Sequence, residues 1–349
     1  MNQKKHLGKW KYLLEALAVV ALYVVLYLSM QQKMPFDFLN MSRTNQTLLS
    51  RMCIYILLAV SLNLVVGFLG ELSLGHAGFY AVGAYAGCLV AVKLTSMSLP
   101  IMVVYPISLL VGGVAAALAG LLTGSSILRL RGNYLAIVTL AFGEVIRSFA
   151  KIIPGLGGTQ GLLGIPSFDE RVQSFTWGFV LVVLTLLIVR NIIKSRHGVA
   201  VTAIRDNAIA AESIGINVKV YKIKIFAISA FFAGVAGVMF GFYKNSVMPS
   251  DFTYNLSIEV LIMVVLGRIG SLRGSVIAAI ILTGLPDWLR KAGGSSVLSF
   301  IAEQRMLVYS IVLILMMLFT SAPAFIHVRE RIVAVVKGVF GKLLPKKEA

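Results

Sequence analysis

The chain has 349 residues, of which 58% are hydrophobic and only 13% charged, a composition that excludes an ordinary soluble domain. Continuous apolar runs, long enough to cross a hydrocarbon core of about 30 Å, recur along the chain and disfavour a β-barrel. The formal net charge is +18. Lys and Arg cluster at the ends of the runs and at the termini, which favours basic cytoplasmic loops facing anionic lipid over nucleic-acid binding.

We therefore predict an all-α polytopic membrane protein, with residues 1–349 forming a single transmembrane domain. About ten membrane-spanning helices are expected, with eight as the alternative if the short segments are re-entrant. The predicted spans are residues 12–29, 52–69, 76–94, 100–122, 135–153, 176–193, 225–243, 258–266, 276–289 and 306–321. The first run lacks a small-residue cleavage site, so we interpret it as an uncleaved span. The basic tails, 1–11 and 329–349, both belong on the cytoplasmic side, which requires an even number of spans.

Two stretches interrupt this pattern with glycines, one at residues 67–78 (GFLGELSLGHAG) and one within 257–275, which ends in GRIGSLRGS. An interrupted helix leaves backbone groups unpaired, and membranes tolerate this only in protein-lined or water-filled places. In transporters, such segments mark the translocation site. Glu71, Ser73 and His76 are therefore candidate pathway residues. The alternative is an ordinary tight turn at the membrane surface, with His76 as a helix-start residue rather than a proton carrier.

Three further ionisable residues lie in apolar runs. Glu144 and Arg147 are three residues apart and share one helix face. An ion pair that fixes helix packing is favoured, facing the protein interior because an isolated charge at mid-bilayer is costly. Lining of the pathway is the alternative. Glu259 stands at the head of a short apolar segment, where a place in the membrane interface is favoured over a place in the pathway.

No catalytic or cofactor pattern occurs in the sequence. A G-x-x-x-x-G-K-[ST] phosphate loop and a G-x-S-x-G elbow are both absent. The four histidines are far apart, and both cysteines lie within apolar runs, so neither set has metal-ligand spacing. We expect a chain that is not an enzyme and that holds no cofactor or metal of its own.

The longest polar interval, residues 194–224, is basic and joins two apolar runs. Its middle predicts a short helix, with Asp206 or Asn207 as the N-cap, AIAAESI as helix formers and Gly215 as the stop. Such a helix, exposed between two spans, favours a docking site for a soluble partner on the cytoplasmic face. A solvated loop is the alternative.

Five motifs occur in order across roughly residues 52–289: LNLVVGFLGELSLGHAGFYAVGAYAG, RLRGNYLAIVTLAFGEVIRSF, GGTQGLLGIP, AIRDNAIAAESIGINV and SIEVLIMVVLGRIGSLRGSVIAA. Together they resemble the membrane permeases of branched-chain amino acid ABC importers. The resemblance implies transport of leucine, isoleucine and valine across a bacterial inner membrane. Relatives in the same superfamily move urea, short amides or other amino acids, which remain alternative cargoes.

The resemblance also implies partners. The chain would be one half of a heterodimeric channel, joined by a second homologous permease subunit, two cytoplasmic ATPase subunits that carry the ATP, and an external substrate-binding protein. The helix in the 194–224 interval then corresponds to the coupling helix that docks on an ATPase. The docking residues expected on this basis are Arg205, Asp206, Asn207, Ala210, Ala211, Glu212 and Gly215.

Two positions depart from the family pattern. Members usually have glycine where this chain has Arg268, and proline where it has Ser275. Together with Arg273, Arg268 makes this turn more basic than the family pattern, which fits a different partner surface or a different substrate.

Two other functions compete with the importer. One is a self-sufficient, ion-coupled secondary transporter that uses Glu144, Arg147 and His76 for proton coupling. The other, a membrane-embedded enzyme acting on lipid, has no nucleophile or metal constellation to support it.

Overall fold

The computed structural model describes residues 17, 19–31, 42–127, 133–168, 170–292 and 311. These residues are almost entirely helical, with one short antiparallel strand pair. The helices are α1 Val19–Met30, α2 Arg43–Asn63, α3 His76–Ser96, α4 Ile101–Ile127, α5 Asn133–Ile152, α6 Arg171–Lys194, α7 Arg196–Asp206, α8 Ala208–Ser213, α9 Val218–Lys244, α10 Tyr254–Leu266 and α11 Leu272–Ala292. The strands are β1 Leu162–Leu163 and β2 Ser246–Val247.

Within this described part, six helical segments are long and apolar enough to cross a membrane. They are Arg43–Leu69, His76–Ser96, Ile101–Ser125, Arg171–Lys194, Val218–Lys244 and Pro249–Leu266. The all-α polytopic class is thereby confirmed, whereas a count of about ten is not. Of the other predicted spans, the described residues of 12–29 are helical and belong mostly to α1, and 135–153 and 276–289 overlap α5 and α11. The span predicted at 306–321, apart from residue 311, and both basic tails lie outside the described residues.

The contacts divide the chain into two units, Met1–Leu285 and Pro286–Ala349. The described part of the second unit comprises the last residues of α11 and Ile311. Every residue discussed below belongs to the first unit.

The centre of the first unit is formed by α2 and α9, which are largely surrounded by protein. In α2, Leu57, Val60 and Leu62 are completely buried. Helices α3 and α9 approach so closely that a Cβ added to Gly83 would collide with the backbone of Gly234. Small residues of this kind allow close helix packing in lipid, where dispersion contacts replace the hydrophobic effect between helices.

The outer helices leave long apolar side chains uncovered. In α4 and α6 these include Met102, Leu110, Val114, Leu118, Val180, Leu184 and Leu187. Hydrocarbon tails are as apolar as leucine, so these faces suit contact with lipid. The first unit is therefore a helix bundle in which α2 and α9 are enclosed by other helices and the outer helices present apolar faces.

The predicted short segment at 257–275 is a helix, a tight turn and a second helix. Helix α10 begins at Tyr254, earlier than the apolar run indicates, and ends at Leu266. Arg268 and Gly270 then adopt positive φ values of 69° and 80° before α11 begins. The left-handed region costs a residue with a Cβ roughly 1 kcal/mol or more, so the turn favours the glycine that is usual in the family at position 268.

Candidate functional site

The first glycine break interrupts the path from α2 to α3. Helix α2 continues beyond Asn63 as a π-helical turn, Leu64–Leu69, and Gly70 ends it in the left-handed conformation with φ 79°. Glycine adopts this conformation without a Cβ clash and commonly terminates helices. No helix is assigned again until His76 begins α3. The predicted interruption within residues 67–78 is therefore confirmed, and the non-helical backbone is confined to residues 70–75.

Glu71 forms an ion pair with Lys222 in the first turns of α9. Their side chains are only 13% and 10% exposed, respectively. This pair connects the break to α9. The sequence showed Lys222 only as one of several basic residues in a polar interval, and nothing in the pattern singled it out as the partner of Glu71.

The other side of the break is buried. His76 lies 2.8 Å from Ser61 Oγ through Nε2, and the Ser61 hydroxyl donates to the carbonyl of Leu58. The first turn of α3 is held by Ser257 of α10, whose hydroxyl accepts from Ala77 N at 3.0 Å. His76 is thus a packed helix-start residue, as the sequence favoured.

Two buried polar groups near the break have no hydrogen-bond partner within the described residues. They are Ser73 Oγ and Asn63 Nδ2, whose residues are 2% and 0% exposed. Buried polar groups are nearly always paired, so these two atoms are exceptions among the described residues. Leu74 follows Ser73 in the chain, just before α3, and its backbone N–H donates to Thr139 Oγ1 of α5 at 3.1 Å. One side of the break is therefore packed against α5, while Gly70 and Leu72 remain exposed.

The two glycine breaks lie side by side. Asn63 Oδ1 accepts from Gly270 N at 3.1 Å. Gly67 is so close to this turn that an added Cβ would collide with Gly270 N. The sequence predicted both breaks, but their contact comes from the tertiary structure.

Glu144 and Arg147 form the predicted ion pair within α5. Arg147 Nε donates to Glu144 Oε2 at 2.8 Å. The two side chains are 28% and 25% exposed, respectively. They are flanked by the exposed side chains of Val145 and Phe149. The pair therefore exists as expected, but it is only partly enclosed by this chain.

Glu259 is buried, with 6% exposure. Tyr55 of α2 donates its hydroxyl to Glu259 Oε2 at 3.3 Å. Glu259 therefore packs inside the chain, and its place in the membrane interface stays a prediction. The early start of α10, at Tyr254, puts Glu259 in its second turn, against α2.

The polar interval at 194–224 contains two consecutive helices. Ser195 accepts from Gly198 N and caps α7. Asn207 caps α8, accepting from Ile209 N and Ala210 N at 3.0 Å each. Of the two predicted caps, Asn207 is correct and Asp206 is the last residue of α7. Gly215 follows with φ 87°, which confirms it as the stop.

The expected docking residues divide by exposure. Residues with exposed side chains or backbone are Asp206, Asn207, Ala210, Glu212 and Gly215. Ala211 is 3% exposed, so its place in a docking surface is wrong: it faces the chain's own helices. Sequence reasoning missed Ile209 and Ile214, which are 70% and 76% exposed. The sequence did contain a signal for their exposure, because a helix of six residues cannot bury every apolar side chain in AIAAESI.

Arg205 is exposed as well, with 37% of its side chain accessible, but its guanidinium also contacts the rest of the chain. Its Nε and Nη2 atoms donate to Asp206 Oδ1, and Nη1 donates to the carbonyl of Gly67 at 3.3 Å. The guanidinium of this predicted docking residue thus reaches the first glycine break.

No group of three or more His, Cys, Asp or Glu side chains able to hold a metal ion occurs in the described portion of the chain. The candidate site consists of helix breaks, ion pairs and an exposed helix.

Comparison with known proteins agrees with this arrangement. The family model described as "Branched-chain amino acid transport system / permease component" matches residues 45–320. The high-affinity branched-chain amino acid transport system permease protein LivM of Escherichia coli K12 is 34% identical over 300 residues, 77% of this chain and 68% of that protein. LivM of Salmonella typhimurium is 32% identical over 321 residues, 82% of this chain and 73% of that protein.

A second kind of permease is also similar. The permease protein LivH of the same Escherichia coli system is 26% identical over 259 residues, 68% of this chain and 82% of that protein. The resemblance seen in the five sequence motifs is confirmed by these matches. The chain belongs to the family of permease components of branched-chain amino acid transport systems.

Proposed function

We propose that this chain is a permease subunit of an ATP-driven importer that carries leucine, isoleucine and valine across a bacterial inner membrane. The observation that carries this proposal is the family match over residues 45–320 together with 34% identity to LivM. The two adjoining glycine breaks support it, since interrupted helices are typical of translocation sites. Urea, short amides and other amino acids are less favoured cargoes, because the relatives described above are named for branched-chain amino acids.

The importer needs partners. The Escherichia coli system has two permease proteins by name, LivM and LivH. We propose that a second, homologous permease completes the channel here, that two cytoplasmic ATPases supply the ATP, and that an external binding protein delivers substrate. This chain then has no enzymatic reaction of its own, and the multi-pass subunit has both termini in the cytoplasm.

The ATPase docks on α8. The exposed Ile209 and Ile214 supply apolar anchors, and the exposed Asp206 and Glu212 supply polar contacts around them. Anchors surrounded by a polar rim are the usual anatomy of a protein interface. ATP binding and hydrolysis drive transport only through contacts that differ between the two states of the importer. The capped helix is the element on which such contacts are made.

Substrate passes beside the first break. Ser73 Oγ and Asn63 Nδ2 are the polar groups offered there, since they are buried and lack a hydrogen-bond partner among the described residues. The other pathway candidates near the break already have side-chain partners: His76, Glu71 and Glu259. Their role is to hold the helices that surround Ser73 and Asn63.

The Glu144–Arg147 pair fixes the packing of α5. Its partial exposure on this chain fits an ion pair that the second permease encloses, since an ion pair facing lipid is costly. Passage of substrate along this pair is the alternative.

The test is purification of the full chain in mild detergent from its own cells, followed by reconstitution of everything that co-purifies. We expect two ATPase subunits and a second permease, and leucine uptake that requires ATP and the binding protein. A chain that purifies alone and moves amino acids down an ion gradient would overturn the proposal in favour of a secondary transporter.

A further inference from the structure

The polar interval that carries α8 is joined to the first glycine break by one side chain. Arg205 Nη1 donates to the carbonyl of Gly67 at 3.3 Å. The stem of the same side chain covers Gly70, where an added Cβ would lie 2.6 Å from Arg205 Cγ. Gly67 lies in the π-helical extension of α2, and Gly70 is the cap at its end.

This hydrogen bond meets a requirement of the break. The last carbonyls of a helix have no partner within the helix, and in a membrane protein such groups must be paired inside the protein. Arg205 supplies a charged donor to one of them. Hydrogen bonds with a charged partner are roughly twice as strong as those between neutral groups.

The second break reaches the same place. Gly270 N donates to Asn63 Oδ1 at 3.1 Å. A Cβ added to Gly270 would lie 3.6 Å from Arg205 Nη1. The guanidinium of Arg205 therefore stands where the backbones of both breaks come together.

Arg205 is also mechanically close to α8. It lies in the last turn of α7, and only Asp206 and the cap residue Asn207 separate it from α8. Its Nε and Nη2 atoms donate to Asp206 Oδ1 at 3.0 and 2.9 Å, which fixes the guanidinium relative to this corner. A displacement of the α7–α8 corner moves the guanidinium with it.

We propose that Arg205 is a positioning residue that transmits displacement of α8 to the two glycine breaks through the Gly67 carbonyl and the adjoining backbone of Gly270. The proposal rests on the importer function and assigns to Arg205 a role different from docking. The ATPase contacts the exposed face of α8, and Arg205 converts the movement of that helix into a movement of the helix ends that line the pathway.

The experiment compares Arg205→Gln with the wild type in the complete importer, reconstituted with its ATPases, second permease and binding protein. Two quantities are measured: the ATPase co-purified per permease and the leucine imported per ATP hydrolysed. We expect the co-purified ATPase to match wild type and the leucine imported per ATP to fall about tenfold, within the range typical of coupled sites. A purely structural role would lower the amount of complex, and a docking role would release the ATPase.

Two further variants sharpen the result. Arg196→Gln makes the same change of charge at the exposed first residue of α7, and it is expected to import as much leucine per ATP as wild type. Arg205→Lys keeps a cation that donates to a carbonyl, and it is expected to retain more coupling than Arg205→Gln. Normal leucine import per ATP in Arg205→Gln, loss of its ATPase, or equal losses in Arg205→Lys and Arg205→Gln would each overturn the assignment.

Failure of the importer function would look different. In that case the wild-type chain would purify without ATPases, and no variant would be needed to see it.

Discussion

Glu71, in the non-helical segment between α2 and α3, and Lys222, near the start of α9, form an ion pair with little access to solvent. The two residues are 151 positions apart in the chain. Lys222 is the fifth residue of α9 and lies within the same polar interval that carries α8. The pair therefore gives the first glycine break a second attachment to the region that we propose docks the ATPase.

Removal of one charge from this pair should destabilise the protein. Glu71→Gln leaves the ammonium of Lys222 enclosed without a counter-ion, which typically costs about 3 kcal/mol or more. Lys222→Met should cost a similar amount, and the double variant should recover most of the loss because no uncompensated charge remains. Thermal unfolding in detergent, analysed as a double-mutant cycle, measures the coupling. Lys219→Met, at an exposed position in the same turn, is the control, and equal losses in both lysine variants would contradict the prediction.

The docking face can be tested by placing a charge on it. Ile209→Asp puts a carboxylate where we expect an apolar anchor, and such anchors dominate the energetics of an interface. Co-purified ATPase should fall more than about tenfold while the detergent-solubilised permease keeps its thermal stability, because Ile209 makes little contact with its own chain. Leu163→Asp, at another exposed apolar position, should retain the ATPase. Full retention by Ile209→Asp would remove α8 from the interface.

Glu212→Lys and Gly215→Trp probe the same face differently. Glu212 is exposed, so reversal of its charge should weaken ATPase association without unfolding the permease. At Gly215, no atom lies within 4 Å of an added Cβ, but the φ of 87° strains any residue with a side chain, so the tryptophan is expected to disturb the end of α8 as well as obstruct a partner. Co-purification and ATP-dependent uptake are the measurements. Normal transport in both variants would refute the docking assignment.

The ion pair of α5 is expected to serve packing. Glu144→Gln should reduce the amount of folded permease more than it changes substrate preference, because Arg147 then lacks its counter-charge within the membrane. Glu144→Gln with Arg147→Gln should restore folded protein. The measurements are the folded yield by size-exclusion chromatography and the competition of leucine, isoleucine and valine for uptake. A normal yield with altered preference would place the pair in the pathway instead.

The close approach of α3 and α9 predicts a steep cost for added volume. Gly83→Ala introduces a Cβ into the backbone of Gly234 and should destabilise the bundle by about 1–3 kcal/mol or more. Gly155→Ala is the matched control, because an added Cβ meets no atom within 4 Å there. Thermal stability in detergent distinguishes the two. Equal stability of both variants would mean that α3 and α9 separate easily.

The sequence alone predicted the fold class and the family. Apolar runs of spanning length, the two glycine-rich interruptions and the cap-and-stop pattern around AIAAESI each depend on residues close together in the chain. These features form without contacts from distant parts of the chain. Gly70 and Gly215 adopt positive φ because they have no Cβ, and Asn207 caps the helix that begins beside it. The five motifs likewise indicated the family that the comparisons then confirmed.

What only the tertiary structure decided is which of these local features meet. Lys222 pairs with Glu71, Arg205 binds the Gly67 carbonyl, and Gly270 contacts Asn63. Periodicity does not encode such contacts, because each joins segments more than one hundred residues apart through the packing of α2, α7, α9 and the turn before α11. The burial of Glu259 follows the same rule, since α2 covers it, while Ile209 and Ile214 remain exposed. The sequence by itself therefore determined the elements and the family, and the packing of distant helices decided which side chains are free to act.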